Sequence, residues 1–394
     1  MPTSVGPNIK GEENLVFGYD LGDVSNSYKG EPTVNLITDP NTRNFDGGTK
    51  GNWTYQTVAG SGSISTDNPK SGTYSAKLTR SGAGGEVNYY WNAGPGLSLT
   101  PGSTYTFSMD VWCDKPGMAK LFSYLAGTNG SSAYHPGDSK WHRLSMQFAP
   151  AASTAAAQIR FGILTSNSNY PVTAYFDNAQ IEQNTHVTPF TEGTRSATQG
   201  LIDLTGNSTI DLTNVSFDSN AQMEFDGSDD WLNIPVTLNA GNFTYETVMK
   251  QYGSTSYNIF SAGTGNPSSG GTNIQAFVNS SGGLVNLYAP VGGSGWEYGT
   301  YDNTGNFTAT SNVNYHIVVV NLNTTWKIYV NGDLVGDIDS FIPTVGNSVG
   351  VARSAMQVAN QKNSKVSLTK IYNRALTASE IKANYNAIKG RFNI

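Results

Sequence analysis

Three consecutive aromatic residues, Tyr89-Tyr90-Trp91, are followed by Asn92. Aromatic faces stack on sugar rings, and amide side chains bond to sugar hydroxyls, so this composition suits a lectin-like site. In a strand, successive side chains point to opposite faces, so the three rings cannot all point inward. Tyr90 or its neighbours must therefore be exposed or lie in an interface. Tyr124, Tyr134 and His135 fall in a turn-rich region and could join them. A second candidate is Trp296, Tyr298 and Tyr301, in the Gly-rich segment GGSGWEYGTYDN, which reads as an exposed loop. The competing reading puts Trp91 in a core and the tyrosines on the rim of a protein contact, where Tyr adds area at low entropy cost. Both readings are open on the sequence. Trp141 and Trp326 lie in regularly alternating runs and are expected in the core.

Hydrolytic chemistry has less support. Glycoside hydrolysis needs two carboxylates flanking the scissile bond. Glu224 and Asp226 stand two apart, but Phe225-Asp226-Gly227 and Ser228-Asp229-Asp230 read as turns, where carboxylates cap the backbone. Asp226, Asp229 and Asp230 form the densest acidic cluster of the C-terminal half. The four histidines, His135, His142, His186 and His316, pair with no Ser or Cys motif. The single cysteine, Cys113, sits in an apolar run and reads as a small buried residue. No intrachain disulfide can form, and the expectation is a non-enzymatic protein.

The elements that must position these residues follow from composition. The chain has 394 residues, 13% charged and 11% aromatic, with 44 Gly and 21 Tyr. Too many aromatics and too few charges exclude a disordered chain. A net charge of −6 argues against nucleic acid as a partner. No apolar run approaches the length of a membrane span, and no signal peptide opens the chain. Period-two alternation and frequent turns predict an all-β chain, two antiparallel jelly-roll β-sandwiches with a short C-terminal helix. Strands are expected at Ser75–Thr79, Tyr105–Val111, Trp141–Phe148, Ala157–Ile163 and Val172–Ile181, then from Gln222 to Tyr372. Thr185–Gln199 reads as a linker. Thr377 with Glu380 makes a capping box, and Ile381, Tyr385 and Ile388 recur at helical spacing.

Two resemblances sharpen this. MEFDGSDDWLNIP, NFTYETVMK, HIVVVNLNTTWKIYVNGDLVG and KIYNRALTASEIKANYNAIKGRF resemble concanavalin A-like (laminin-G-like) jelly rolls across Leu201–Ile394. Within them, Asn331-Gly332 is a strong hairpin signal. That fold also hosts β-glucanases, whose E-x-D-x-x-E pattern does not occur here. NLITDPN, SGTYSAKLT, LTPGSTYTFSMDVW, WHRLSMQF and YFDNAQIEQ resemble a carbohydrate-binding-module jelly roll over about Val34 to Thr194. This second resemblance implies a structural calcium, with Asp46 and Asp177 at the matching positions.

NLVFGYDLGDVSNSYKG (Asn14–Gly30) resembles the opening of laminin-G-like domains in viral particle proteins, yet here it precedes the other block. The expected division is therefore a docking segment at 1–13, a strand segment at 14–31 belonging to the C-terminal sandwich, a possibly inserted module at 32–194, and the C-terminal sandwich at 195–394. The combination resembles tailed-bacteriophage virion proteins, fibres, spikes or head decorations. It implies synthesis in a bacterial cytoplasm and a place on the virion surface. The implied partners are capsid, neck or tail proteins, further copies in a homotrimer by analogy, and a cell-surface polysaccharide. A cement or decoration protein that binds no sugar is the alternative, and a polysaccharide-degrading enzyme a remote one.

Overall fold

The structure, a computed structural model, describes residues 12–92, 97–125, 127–151, 158–164, 169–212, 215–218, 222–226, 230, 232–251, 257–264, 272–278, 285–291, 295–300, 309–339, 349–351 and 364–394. The expected docking segment lies outside these residues, except for Glu12 and Glu13.

The chain opens with β1 (Leu15–Asp20), a helical turn α1 (Val24–Ser27), β2 (Thr33–Val34), a second turn α2 (Pro40–Asn44), β3 (Thr54–Thr57), β4 (Ser61–Ser65) and β5 (Ser75–Arg80). It continues through β6 (Val87–Asn92), β7 (Tyr105–Cys113), β8 (Ala119–Tyr124), β9 (Gly127–Thr128), β10 (Trp141–Pro150), β11 (Gln158–Ile163), β12 (Val172–Glu182) and β13 (Thr194–Arg195). Next come β14 (Ser216–Phe217), β15 (Met223–Phe225), β16 (Leu232–Ile234), β17 (Asn242–Gln251), β18 (Tyr257–Thr264), β19 (Thr272–Val278), β20 (Val285–Val291) and β21 (Gly295–Thr300). The last elements are β22 (Asn314–Leu322), β23 (Thr325–Val330), β24 (Asp333–Asp339), β25 (Val349–Val351), β26 (Ser364–Tyr372) and the helix α3 (Ala378–Phe392).

Two compact units divide the chain. Unit 1 is Met1–Pro32 with Ser196–Ile394, and unit 2 is Thr33–Arg195. In unit 1, one sheet runs β14-β15-β26-β17-β22-β23-β24, with β1 also paired to β26, and the other runs β16-β25-β18-β19-β20-β21. Alternation sends Phe17, Tyr19, Tyr245, Ile317, Val319, Trp326 and Ile328 into one core. The alternate residues of the larger sheet are buried too. Val318 and Val320 pack with Ile381 of α3, and Val248 and Leu368 pack with Ile388 and Phe392. The capping box at Thr377 and Glu380 starts this helix. The β23–β24 hairpin turns at Asn331 and Gly332, with φ of 52° and 80°. The positive φ favours Gly at the second position, where a Cβ would also crowd Tyr385 of α3 at 3.0 Å.

A helix over a sheet shuts water out from polar groups of the sheet, and Glu246 is supplied with partners in its place. The Glu246 carboxylate, almost fully buried, accepts from His316 Nε2 at 2.9 Å and from Asn384 Nδ2 at 2.9 Å. Burial by itself would raise the Glu246 carboxyl. The Lys370 ammonium and His316 outweigh it and hold the group down at about 2. Lys370 is also bonded to Glu12 at 2.9 Å.

In unit 2, a sheet ordered β4-β5-β12-β7-β10-β9 faces a second ordered β3-β6-β11-β8 over one apolar core. Trp53 lies fully buried in it, 4.8 Å from the Phe161 ring and 5.9 Å from Trp91. Cys113 is also buried there, its thiol pushed up to about 11 by desolvation.

Two expectations change here. Thr185–Gln199 is not a free linker over its first part. Thr188 bonds to Glu182 and Thr191 to Gln180, and β13 pairs with β2, so the polar residues serve unit 2 as hydrogen-bond partners. Trp141 is only half-buried, because it stands at the first position of β10.

Candidate functional site

The β3-β6-β11-β8 sheet has one face on the core, and its other face, though Asn88 and Phe122 in it are buried, presents exposed Asn92 and Tyr124 and half-buried Tyr90, Gln158, Arg160 and Lys120. Parity assigns the residues. On β6, Val87, Tyr89 and Trp91 point inward, and on β11, Ile159, Phe161 and Ile163 do the same. The alternate residues, Tyr90 and Asn92, Gln158 and Arg160, and Lys120, Phe122 and Tyr124, fall on the other face. Register then sets neighbours. Arg160 stands opposite Tyr90 on one side and Phe122 on the other, and Gln158 stands opposite Asn92 and Tyr124. Thr54 of β3 lies beside Tyr90.

Arg160 is the centre of this face. Its guanidinium carbon lies 4.6 Å from the Tyr124 ring centre, 5.3 Å from Tyr90 and 5.9 Å from Phe122. These are cation–π distances. Arg160 Nε donates to Gln158 Oε1 at 3.1 Å, and Nη2 donates to the same oxygen. Nη1 donates to Gln56 Oε1 at 3.2 Å. Gln158 Nε2 in turn donates to Asn92 Oδ1 at 2.9 Å. Tyr124 is 51% exposed, so its ring covers Arg160 on one side and meets solvent on the other. Further along, Lys120 Nζ donates to Ser131 Oγ at 2.9 Å and lies 4.8 Å from the Tyr134 ring centre. Aromatic surfaces with amide donors and acceptors around them are what a sugar ring needs.

The structure sorts the candidate residues. Tyr90, Tyr124 and Tyr134 are tied to this face. Tyr89 and Trp91 are not. They are 2% and 4% exposed, facing Phe161 and Trp53, so no ligand reaches them. Burial pushes the Tyr89 hydroxyl up to about 12. Arg160, Gln56 and Gln158 carried no motif. The available signal was parity alone, since Arg160 alternates with the apolar Ile159 and Phe161.

The other aromatic candidate takes a different form. Trp296 and Tyr298 lie on β21, a strand paired with β20, and not in a loop. Gly295 and Gly299 belong to the strand, opposite Val291 and Leu287, and leave its pairing intact. Their side chains, and all of Tyr301, lie outside the described residues.

Among metal candidates, Asp177 is fully buried. Its Oδ2 accepts from the N–H groups of Lys70 at 3.0 Å and Ser71 at 3.1 Å, and its Oδ1 accepts from Asn178 at 2.8 Å. Desolvation raises its carboxyl to about 7 against those three bonds. Asp46 is exposed. His135, Asp138 and His142 offer ligand atoms within 4.8 Å of one another. The Nδ1 of His135 already accepts from Gly137 N–H at 2.9 Å, and its Nε2 bonds to Lys140 O at 2.9 Å. His142 Nε2 rests on Asp138 at 2.9 Å. The cluster is a self-satisfied corner.

Of the carboxylates considered for hydrolysis, Glu224 is ion-paired with Lys365. The backbone N–H of Asp226 donates to the Asp230 carboxylate at 2.8 Å, as in a turn. Asp229 lies outside the described residues.

Residues 226–382 match the family model of the concanavalin A-like lectin/glucanases superfamily, and residues 41–169 match that of a carbohydrate binding domain. No curated protein matches the chain. Among solved structures, the chain is similar to the binding domain of botulinum neurotoxin serotype D, with 13% identity and a TM-score of 0.38, over 49% of each chain. It is also similar to that of serotype G, with 16% identity and a TM-score of 0.36, over 47% of this chain and 48% of the other. The chain thus spans about half the length of these matched structures.

Proposed function

We propose that this chain, with its carbohydrate-binding and concanavalin A-like domains, is a non-enzymatic glycan-binding protein, and that its binding face is the outward face of the β3-β6-β11-β8 sheet. The observation that carries this reading is Tyr90 and Tyr124 flanking Arg160, with Gln56, Gln158 and Asn92 around them. Sugar rings stack on the two tyrosines, and hydroxyls exchange hydrogen bonds with the amides. Such a shallow site binds weakly, and many copies raise its effective affinity without any new contact. The ion pair of Glu224 with Lys365 and the turn geometry at Asp226 favour binding over hydrolysis. A glycan array with the whole chain tests the reading. Binding that is lost in Tyr124→Ala and Tyr90→Ala, with the fold intact, is the expected result. Uniformly blank arrays overturn it and favour a purely structural role. Release of reducing ends from a bound polysaccharide overturns its non-enzymatic part.

The finer reading places the protein on the surface of a tailed-bacteriophage particle, as a fibre, spike or head decoration that attaches to host or environmental glycans. Its support is the resemblance of Asn14–Gly30, and of its combination with the two following domains, to such particle proteins. Antibody against this chain should label intact particles, and particles without label would end this part of the reading.

A further inference from the structure

Among the described residues, several cations carry a carboxylate partner. Lys77 pairs with Asp67, Arg143 with Asp110, Lys365 with Asp218, Lys370 with Glu12, Lys382 with Asp333 and Arg391 with Asp20. On the outward sheet face of unit 2, Arg160 and Lys120 have none among the described residues. Arg160 is half-buried among three rings, and the acceptors of its N–H groups are the neutral oxygens of Gln158 and Gln56. The guanidinium has five N–H donors, and one on each Nη is left after those bonds. Lys120 lies on the neighbouring strand, two residues from Phe122, the residue opposite Arg160. A diagonal cross-strand position of this kind is about 7–8 Å away. Its ammonium also has a neutral partner, Ser131. The nearest carboxylate along the outward row of β6 is Glu86, bonded to Asn88 at 3.4 Å. It is four residues from Tyr90, which is about 13 Å at strand rise.

A guanidinium taken partly out of water without a counter-charge is poised for one, and carboxylates bind it bidentately. We infer that the glycan taken by this face is acidic. A carboxylate of a uronic acid or related acid sugar bonds to Arg160, its ring lies on Tyr90 or Tyr124, and the next acidic unit falls near Lys120. The inference rests on the sheet face being the glycan site. A chain with a net charge of −6 repels a polyanion at long range, so capture depends on local cations, and Arg160 and Lys120 on this aromatic face supply two.

The test uses the whole chain and four acidic polymers, polygalacturonate, alginate, hyaluronan and polysialic acid, each beside its carboxyl-reduced neutral form. Binding is followed by calorimetric titration. At least one acidic polymer should bind, with affinity falling tenfold or more after carboxyl reduction and again as salt is raised. Arg160→Gln should remove this preference, and Arg160→Lys should retain part of it. Lys120→Gln, at the rim, should weaken acidic binding alone. It keeps the test valid if Arg160→Gln fails to fold. Neutral polymers bound as tightly as their acidic parents would overturn the inference and leave the glycan-binding reading standing. No binding to any acidic or neutral glycan would overturn both.

Discussion

The Arg160 guanidinium lies 4.6 Å from the centre of the Tyr124 ring, a ring that is 51% exposed. One face of the tyrosine is therefore occupied by a cation while the other is free for a ligand. Tyr124→Ala removes the free face, and Tyr90→Ala removes the ring on the other side. Each should cost about 1 kcal/mol of glycan binding, or roughly five- to tenfold in affinity. Tyr124 is exposed, where a substitution changes stability by about 0.5 kcal/mol or less, and half-buried Tyr90 should cost somewhat more. Titration and calorimetric melting of the same samples separate the two effects.

Trp91, next in sequence, should behave in the opposite way. It is 4% exposed and packs edge-on against Trp53 at 5.9 Å. Trp91→Ala should destabilise unit 2 by about 3–5 kcal/mol, the cost of a large core truncation. Urea unfolding would reveal it. A stable Trp91→Ala protein with lost glycan binding would contradict the inward placement.

Unit 1 should be acid-sensitive through Glu246. Its folded carboxyl is held at about 2, against about 4.3 for an unfolded glutamate. Between those values the unfolded chain binds more protons than the folded one, so stability rises with pH. The contribution is present in full above about pH 4.5 and is lost as pH falls toward 2. Glu246→Gln should flatten that part of the melting profile. The variant should also be less stable at neutral pH, because His316 loses its carboxylate partner and Lys370 is left with Glu12.

The strand β1 should be needed by unit 1. It pairs with β26 and buries Phe17 and Tyr19 completely. Phe17→Ala should cost about 3–5 kcal/mol. A chain starting at Ser196 should show no cooperative melting at the temperature of unit 1 in the full protein. Equal melting temperatures would make β1 dispensable.

Calcium at Asp46 and Asp177 has to compete with the three backbone N–H groups that Asp177 already accepts. The expected melting temperature is the same in EDTA and in millimolar calcium, to within about 1 °C. A calcium-dependent rise of several degrees would require that those N–H bonds give way to the ion.

Much of the fold could be read from local pattern. Alternation located most strands to within a residue or two, because one buried face imposes a period of two. Thr377 and Glu380 announced α3, and Asn331-Gly332 announced a hairpin, because capping and left-handed turns depend on residues a few positions apart. The same logic misread Trp296 and Tyr298. Nearby glycines suggest a loop, but pairing with β20 is a long-range choice that composition does not reveal.

The binding face divides in the same way. Parity alone required that Tyr89, Tyr90 and Trp91 not share a face, and so required an outward aromatic ring. Which ring it is depended on Trp53 and Phe161, far away in the chain, filling the core with Tyr89 and Trp91. Arg160 reaches Tyr90, Tyr124 and Gln56 only through the register of β11 with β6 and β8, and of β6 with β3. Side-chain direction is a property of a strand and its neighbours along the chain. Which cation meets which ring is set by pairings across a hundred residues, and those form only when the whole sheet is assembled.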